Sequence, residues 1–178
     1  MKENFTLSIF TENHVGLLNR VTIIFTRRKI NIESITASES EVEGVHRYTI
    51  VINETEEQVK KVVAQLEKQV EVLKAFYHRD DELVYQEIAL YKIPTQVSME
   101  NQGSIERLTR AHNARLISFE KEFIIIEKTG HNSETTLLFN ELKPYGLLEF
   151  VRSGRVAISK PMKTLTSYIE ELELQSKN

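Results

Sequence analysis

The sequence predicts an α+β protein made of two consecutive βαββαβ units. Short segments rich in β-branched and aromatic residues alternate apolar with polar positions, as strands do. Between these segments, apolar residues recur with the period of a helix. The same order of segments occurs twice along the 178 residues, without detectable residue identity between the two halves. A chain of this length is sufficient for two small domains.

In the first half, residues 5–10 form the first predicted strand, followed by a helix with one apolar stripe. Residues 30–38 and 45–52 predict a hairpin about the polar turn 40–44. Thr55 and Gln58 have the spacing of a capping box at the start of a second helix, and residues 70–77 predict the fourth strand. This order indicates a four-stranded antiparallel sheet with both helices on one face.

The sheet face without helices is expected to need a partner. In the first strand that face would carry Thr6, Ser8 and Phe10. Because an open face and open edges favour association, we expect a homodimer, formed by extending the sheet edge to edge or by stacking the helices.

The charged segment 78–82 predicts a boundary between a domain of residues 1–78 and a domain of residues 83–163. After it, residues 83–93 predict a strand, and Ile105, Leu108 and Ala111 mark a helix. The remaining predicted elements are a hairpin of residues 116–119 and 123–127, a helix of residues 133–142, and a last strand of residues 147–152 that residues 156–159 extend. Residues 164–178 predict a polar tail.

Composition and motifs exclude several classes of function. With 23 Lys and Arg against 26 Asp and Glu, the net charge of −3 does not favour binding to nucleic acid or an anionic membrane. There is no cysteine for a disulfide or a thiolate, and no run approaches the ~20 apolar residues of a membrane span. The five histidines are scattered without metal-ligand spacing, and hydrolase and nucleotide motifs are absent. We therefore expect a cytoplasmic protein without catalytic residues or a bound metal.

The candidate binding site is the turn before the first helix, which contains Asn13, His14, Val15 and Gly16. A helix start has unpaired N–H groups and a positive end, so it suits a small carboxylate. Asn31 follows that helix, and its amide both donates and accepts, which suits an amino acid. Taken alone, the spacing N-x-x-G is also typical of an ordinary N-cap and turn.

The run ENHVGLLNRVTIIFTRRKINIESIT resembles the signature of the ACT domain in the small, regulatory subunit of acetolactate synthase (acetohydroxyacid synthase). Two weaker similarities lie at residues 47–50 and 149–158, so the resemblance spans residues 4–160. The family usually has Gly and an aromatic residue where Lys29 and Ile30 stand here. The matched positions are Glu12, Asn13, Gly16, Leu18, Arg20, Val21, Phe25, Arg28, Asn31, Ile32, Ser34 and Ile35.

The resemblance implies two ferredoxin-like domains and a regulatory subunit without an active site. The N-terminal ACT domain, residues 1–78, would bind an effector and dimerise, and the C-terminal ACT-like domain, residues 83–163, would activate the catalytic large subunit. Thiamine diphosphate, Mg and FAD are expected in the large subunit and none of them in this chain. The complex would act in valine, leucine and isoleucine biosynthesis and be inhibited by valine or a related branched-chain amino acid.

The resemblance also implies where the effector binds. In the family, the effector lies between two ACT domains, held by the turn and helix start of one chain and the Asn-Ile segment of the other. Carried over, the effector-binding residues are Asn13, His14, Val15, Gly16, Leu17, Leu18, Asn31, Ile32 and Ser38, the last at a position linked to valine sensitivity. The alternative is a free-standing ACT-type amino-acid sensor that regulates another enzyme.

Overall fold

The computed structural model describes residues 1–161 and Ser167. Contacts divide the chain into two compact units, one of Met1–Val84 with the chain from Arg155 onward, the other of Tyr85–Gly154. Two βαββαβ-like units with antiparallel sheets confirm the predicted α+β fold class. The ranges 1–78 and 83–163 stay predictions of independent domains, and the predicted polar tail lies, apart from Ser167, outside the described residues.

The first unit is a four-stranded antiparallel sheet with the strand order β2-β3-β1-β4. Its core consists of the apolar stripes of both helices against one face of the sheet, including Phe5, Leu7 and Ile9, which are fully buried. Both helices therefore cover the same face, as predicted. The elements are β1 (Glu3–Glu12), α1 (Leu17–Arg27), β2 (Ser34–Glu39), β3 (Val45–Glu54), α2 (Glu56–Leu66) and β4 (Val72–Arg79).

A 3-10 turn, Asp80–Glu82, leads into the strand β5, and the second sheet has the order β6-β7-β5-β8, with β9 paired to β5. The helix predicted from Ile105, Leu108 and Ala111 is α4, and a short helix that was not predicted, α3, precedes it. The two are separated at Asn101, which leaves helical geometry (φ −117°, ψ 25°) and whose side chain donates to the Val97 carbonyl. The elements are β5 (Leu83–Pro94), α3 (Thr95–Glu100), α4 (Gln102–Ala111), β6 (Arg115–Phe119), β7 (Phe123–Gly130), α5 (Asn132–Leu142), β8 (Glu149–Arg152) and β9 (Val156–Ser159).

The strand predicted from residue 30 begins only at Ser34, because α1 ends in a Schellman motif. Lys29 has φ 55°, in the left-handed region, and its N–H donates to the Thr26 carbonyl at 3.0 Å. The N–H of the buried Ile30 donates to the Phe25 carbonyl at 3.0 Å. Lys29 thus occupies a backbone conformation that favours glycine, the residue that the family usually has there.

The expectation of an open sheet face was wrong. Thr6, Ser8 and Phe10 are buried. The chain from Arg155 returns over this face beside Thr6, and Phe10 packs with Val45 in a small separate cluster. Arg155 donates to the Thr6 hydroxyl at 2.8 Å, and Arg47 donates to the Ser8 hydroxyl at 3.1 Å and to the Ala157 carbonyl at 2.6 Å. The predicted homodimer stays a prediction. In the described part of the chain, no helix is long and apolar enough to cross a membrane.

Candidate effector site

The turn between β1 and α1 has the geometry of a tight connection closed by backbone hydrogen bonds. The His14 N–H donates to the Glu12 carbonyl at 3.2 Å, and the Leu17 N–H donates to the His14 carbonyl at 3.3 Å. Gly16 has φ 84°, in the left-handed region that favours glycine. Among the described residues, no atom would lie within 4 Å of a Cβ at Gly16, so its conformation, not lack of space, favours glycine.

The start of α1 is open to a ligand. Gly16 is the N-cap residue, no side chain of the described part of the chain caps the helix, and the first turn contains no acidic residue. Within residues 1–161 and Ser167, the N–H groups of Leu18 and Asn19 donate to no protein acceptor. Two free N–H groups at the positive end of an 11-residue helix can receive a carboxylate.

The predicted turn residues are brought together at the surface. Asn13, His14 and Val15 are exposed, and Leu18 is 41% exposed. His14 Nε2 lies 2.8 Å from a carboxylate oxygen of Glu12. Leu17, in contrast, is 1% exposed, so a lining role for Leu17 stays a prediction.

A single chain does not bring Asn31 to this turn. The 11 residues of α1 span roughly 16 Å, and Asn31 and Ile32 follow its far end. Asn31 is exposed and its amide donates to the Glu33 carboxylate at 3.0 Å, while Ile32 packs against the core of the first unit. The turn and Asn31 can therefore contact one small ligand only if two copies of the chain contribute.

Ser38 lies near the end of the edge strand β2 and is exposed. It is paired with Arg47 of β3, which is paired with Phe10 of β1, so the three side chains share the face opposite the helices. Two strand spacings separate Ser38 from Phe10 by roughly 10 Å. Ser38 is thus at the same end of the sheet as the turn, but on the other face.

An ion pair lies beside the helix start. Arg20 of α1 pairs with Glu71, and the Glu12 N–H donates to the Glu71 carbonyl at 3.0 Å. The pKa of Glu71 is lowered, first by a hydrogen bond from its own backbone N–H and further by Arg20. Glu71 therefore stays ionised, and Arg20 offsets its charge beside a site for a carboxylate.

Sequence reasoning did not single out two polar residues near the turn, Thr11 and His46. Thr11 Oγ1 and His46 Nε2 are buried and have no hydrogen-bond partner within the described residues. The alternation of β1 places Thr11 on the helix-covered face with Ile9, which was available from the sequence. That its hydroxyl lacks a partner could be learned only from the fold.

A cavity of about 460 Å³ lies in the second unit, among α3, α4, β6 and β7. The exposed apolar residues Met99, Leu116 and Phe119 are part of its lining. Throughout residues 1–161 and at Ser167, no group of three or more His, Asp or Glu residues is placed to hold a metal ion.

Comparison with known proteins gives a family match for each of the two parts of the chain. Residues 7–74 match the family described as "AHAS small subunit-like ACT domain", and residues 86–161 match "Small subunit of acetolactate synthase". The chain is 35% identical over 161 residues to the acetolactate synthase small subunit of Bacillus subtilis (strain 168), covering 90% of this chain and 91% of that one. It is 33% identical to that of Mycobacterium leprae (strain TN), covering 87% and 90% of the two chains.

A solved structure agrees with these relatives. The crystal structure of the acetolactate synthase small subunit from Thermotoga maritima superposes with a TM-score of 0.81 at 29% identity, covering 90% of this chain and 99% of that one. The similarity thus extends over both sheets and is not confined to the ACT signature. The chain belongs to the family of acetolactate synthase small subunits.

Proposed function

We propose that this chain is the regulatory subunit of an acetolactate synthase in branched-chain amino-acid biosynthesis and acts in the cytoplasm. It binds a thiamine diphosphate-dependent large subunit, raises its activity, and makes it sensitive to feedback inhibition by valine or a related branched-chain amino acid. Similarity to small subunits over 90% of the chain is the observation that carries this proposal. Thiamine diphosphate, Mg and FAD belong to the large subunit.

The effector site of the proposal is shared by two chains. The carboxylate of the amino acid binds the free N–H groups of Leu18 and Asn19, next to Asn13 and Gly16. Asn31 of a second copy contacts the same ligand, because within one chain it lies at the far end of α1. Exposed Val15 and half-buried Ile32 supply apolar surface for a branched side chain.

Activation of the large subunit is assigned mainly to the second unit. This assignment is supported by the exposed Met99, Leu116 and Phe119, which lie together around one cavity. Adjacent exposed apolar side chains are typical of surfaces that bind another protein.

Reconstitution with the large subunit tests the proposal. The chain alone should show no turnover, the mixture should be more active than the large subunit alone, and valine should reduce the activity of the mixture. Co-purification of the two subunits should accompany the activation. A chain that binds valine but neither co-purifies with the large subunit nor changes its activity would instead be a free-standing amino-acid sensor.

A further inference from the structure

Thr11 is a buried polar residue, and no contact with the described residues explains why a hydroxyl is placed there. It lies near the end of β1, is 0% exposed, and its hydroxyl has no partner within residues 1–161 and Ser167. A buried hydroxyl without a hydrogen bond is costly and is uncommon in folded proteins. Such a hydroxyl can accept a hydrogen bond from a ligand where a binding site lies beside it.

His46 of β3 is the residue directly opposite Thr11 in the sheet. Alternate residues of a strand share one face, and the next two residues on the face of His46, Tyr48 and Ile50, belong to the core under the helices. His46 and Thr11 therefore point to the helix-covered face. His46 Nε2 is buried and also lacks a partner among the described residues. Directly opposite side chains in antiparallel strands have Cβ atoms about 5 Å apart, so one small group can contact both.

This pair lies next to the helix start already described. The chain leaves β1 after Glu12, turns at residues 13–16, and enters α1 at Leu17, so α1 begins over the end of the sheet that holds Thr11 and His46. The free N–H groups of Leu18 and Asn19 and the two unpartnered side chains are therefore at one end of the domain. The two N–H groups donate hydrogen bonds, and the side chains of Thr11 and His46 can accept them.

We propose that Thr11 and His46 bind the ammonium group of an α-amino acid whose carboxylate occupies the start of α1. The inference rests on the proposed function and extends it to the chemical class that the site selects. The Thr11 hydroxyl oxygen accepts one ammonium hydrogen. His46 accepts another at Nε2 when its proton is on Nδ1. A carboxylic acid of the same shape without an ammonium leaves both groups unpaired.

The test measures equilibrium binding of valine and of 3-methylbutanoate, which is valine without its ammonium group, by calorimetry on the full chain. The wild type should bind valine more tightly than 3-methylbutanoate. Thr11→Val, which removes one charge-assisted hydrogen bond, should weaken valine binding about tenfold or more and leave 3-methylbutanoate binding unchanged. His46→Leu should act in the same direction.

Thr36→Val is the matched control, because the Thr36 hydroxyl is also buried without a partner in the described residues but faces the opposite side of the sheet. It should leave valine binding unchanged, and thermal unfolding of all three variants should show that they fold. If Thr11→Val binds valine as the wild type does while Gly16→Asp does not, the ammonium assignment is wrong and the effector site stands. If the wild type binds no amino acid, both the ammonium assignment and the proposed effector site are wrong.

Discussion

Arg155 Nη1 donates to Asp80 Oδ1 at 2.6 Å, although only 4% of Arg155 is exposed. The same nitrogen donates to Thr6, so one guanidinium holds the returning chain, the end of the first unit's sheet and the turn after β4. Together with the bond from Arg47 to Ala157, this contact covers part of the sheet face that lacks helices.

Replacement of Arg155 should destabilise the protein. Arg155→Met leaves the Thr6 hydroxyl unpaired in the buried face, and we expect a loss of about 2 kcal/mol in the free energy of unfolding, less than for a fully buried pair because Asp80 is 40% exposed. Urea unfolding would measure it. Arg110→Met is the control, since Arg110 is exposed and, among the described residues, is paired with Glu106 one turn earlier; it should change stability by less than about 0.5 kcal/mol.

Lys29→Gly should stabilise the first unit. Lys29 has φ 55°, which costs a residue with a Cβ about 1 kcal/mol. Glycine removes this cost, but it loses more conformational entropy on folding, which offsets part of the gain. We expect a net gain of about 0.5 kcal/mol, measured as a rise in the denaturation midpoint. Lys29→Ala keeps the Cβ and should show no gain; an equal gain in both variants would assign the effect to the lost charge.

Gly16→Asp should remove the response to valine and leave most of the activation. The new carboxylate would lie where the carboxylate of the effector binds, and the two charges repel. Gly16→Asn is the control, because asparagine has the same shape, no charge, and tolerates a positive φ. Valine titrations of the reconstituted enzymes compare the two. Retained inhibition by valine in Gly16→Asp would contradict the assignment of the effector site.

His78 should make stability depend on pH. Burial, with a further contribution from Arg47, lowers the pKa of His78 below its ordinary value, while Glu82 opposes the shift. The unfolded chain therefore binds a proton before the folded chain does, so the free energy of unfolding falls as the pH decreases through the ordinary histidine range. The slope is limited to about 1.4 kcal/mol per pH unit for one proton. Comparing wild type with His78→Phe between pH 5.5 and 7.5 isolates this contribution.

Phe119→Ser should weaken activation of the large subunit and leave folding intact, because Phe119 is exposed at the cavity of the second unit. Titrating the variant against a fixed amount of large subunit should show a higher concentration for half-maximal activation. Leu137→Ser replaces an exposed apolar residue of α5 that does not line the cavity and should behave as the wild type. Equal effects of both changes would contradict the assignment.

Local patterns were sufficient for much of the fold. The alternation of Phe5, Leu7 and Ile9 correctly gave the core face of β1, and the stripe Leu17, Val21, Ile24, Phe25 gave the buried side of α1. These signals lie within a few residues of each other in the chain, and burial of apolar surface enforces them. The turn with Asn13 and Gly16 was also predicted from residues that are close together in the chain.

Contacts between distant residues were beyond such patterns. Arg155 and Thr6 are 149 positions apart, so nothing local to either residue shows that the returning chain buries Thr6. The late start of β2 depends on the backbone conformation of Lys29, a residue type that seldom has a positive φ. Thr11 and His46 become neighbours only through the register of β1 against β3.

The separation of the turn and Asn31 by the length of α1 has a thermodynamic consequence. In a two-fold symmetric dimer, each chain gives its turn to one pocket and Asn31 to the other, so the pockets come as an identical pair. An effector that bridges two chains must then strengthen their association by the same factor by which association strengthens its own binding. In the proposed arrangement, the sensitivity of the enzyme to valine therefore rises with the concentration of the regulatory chain itself.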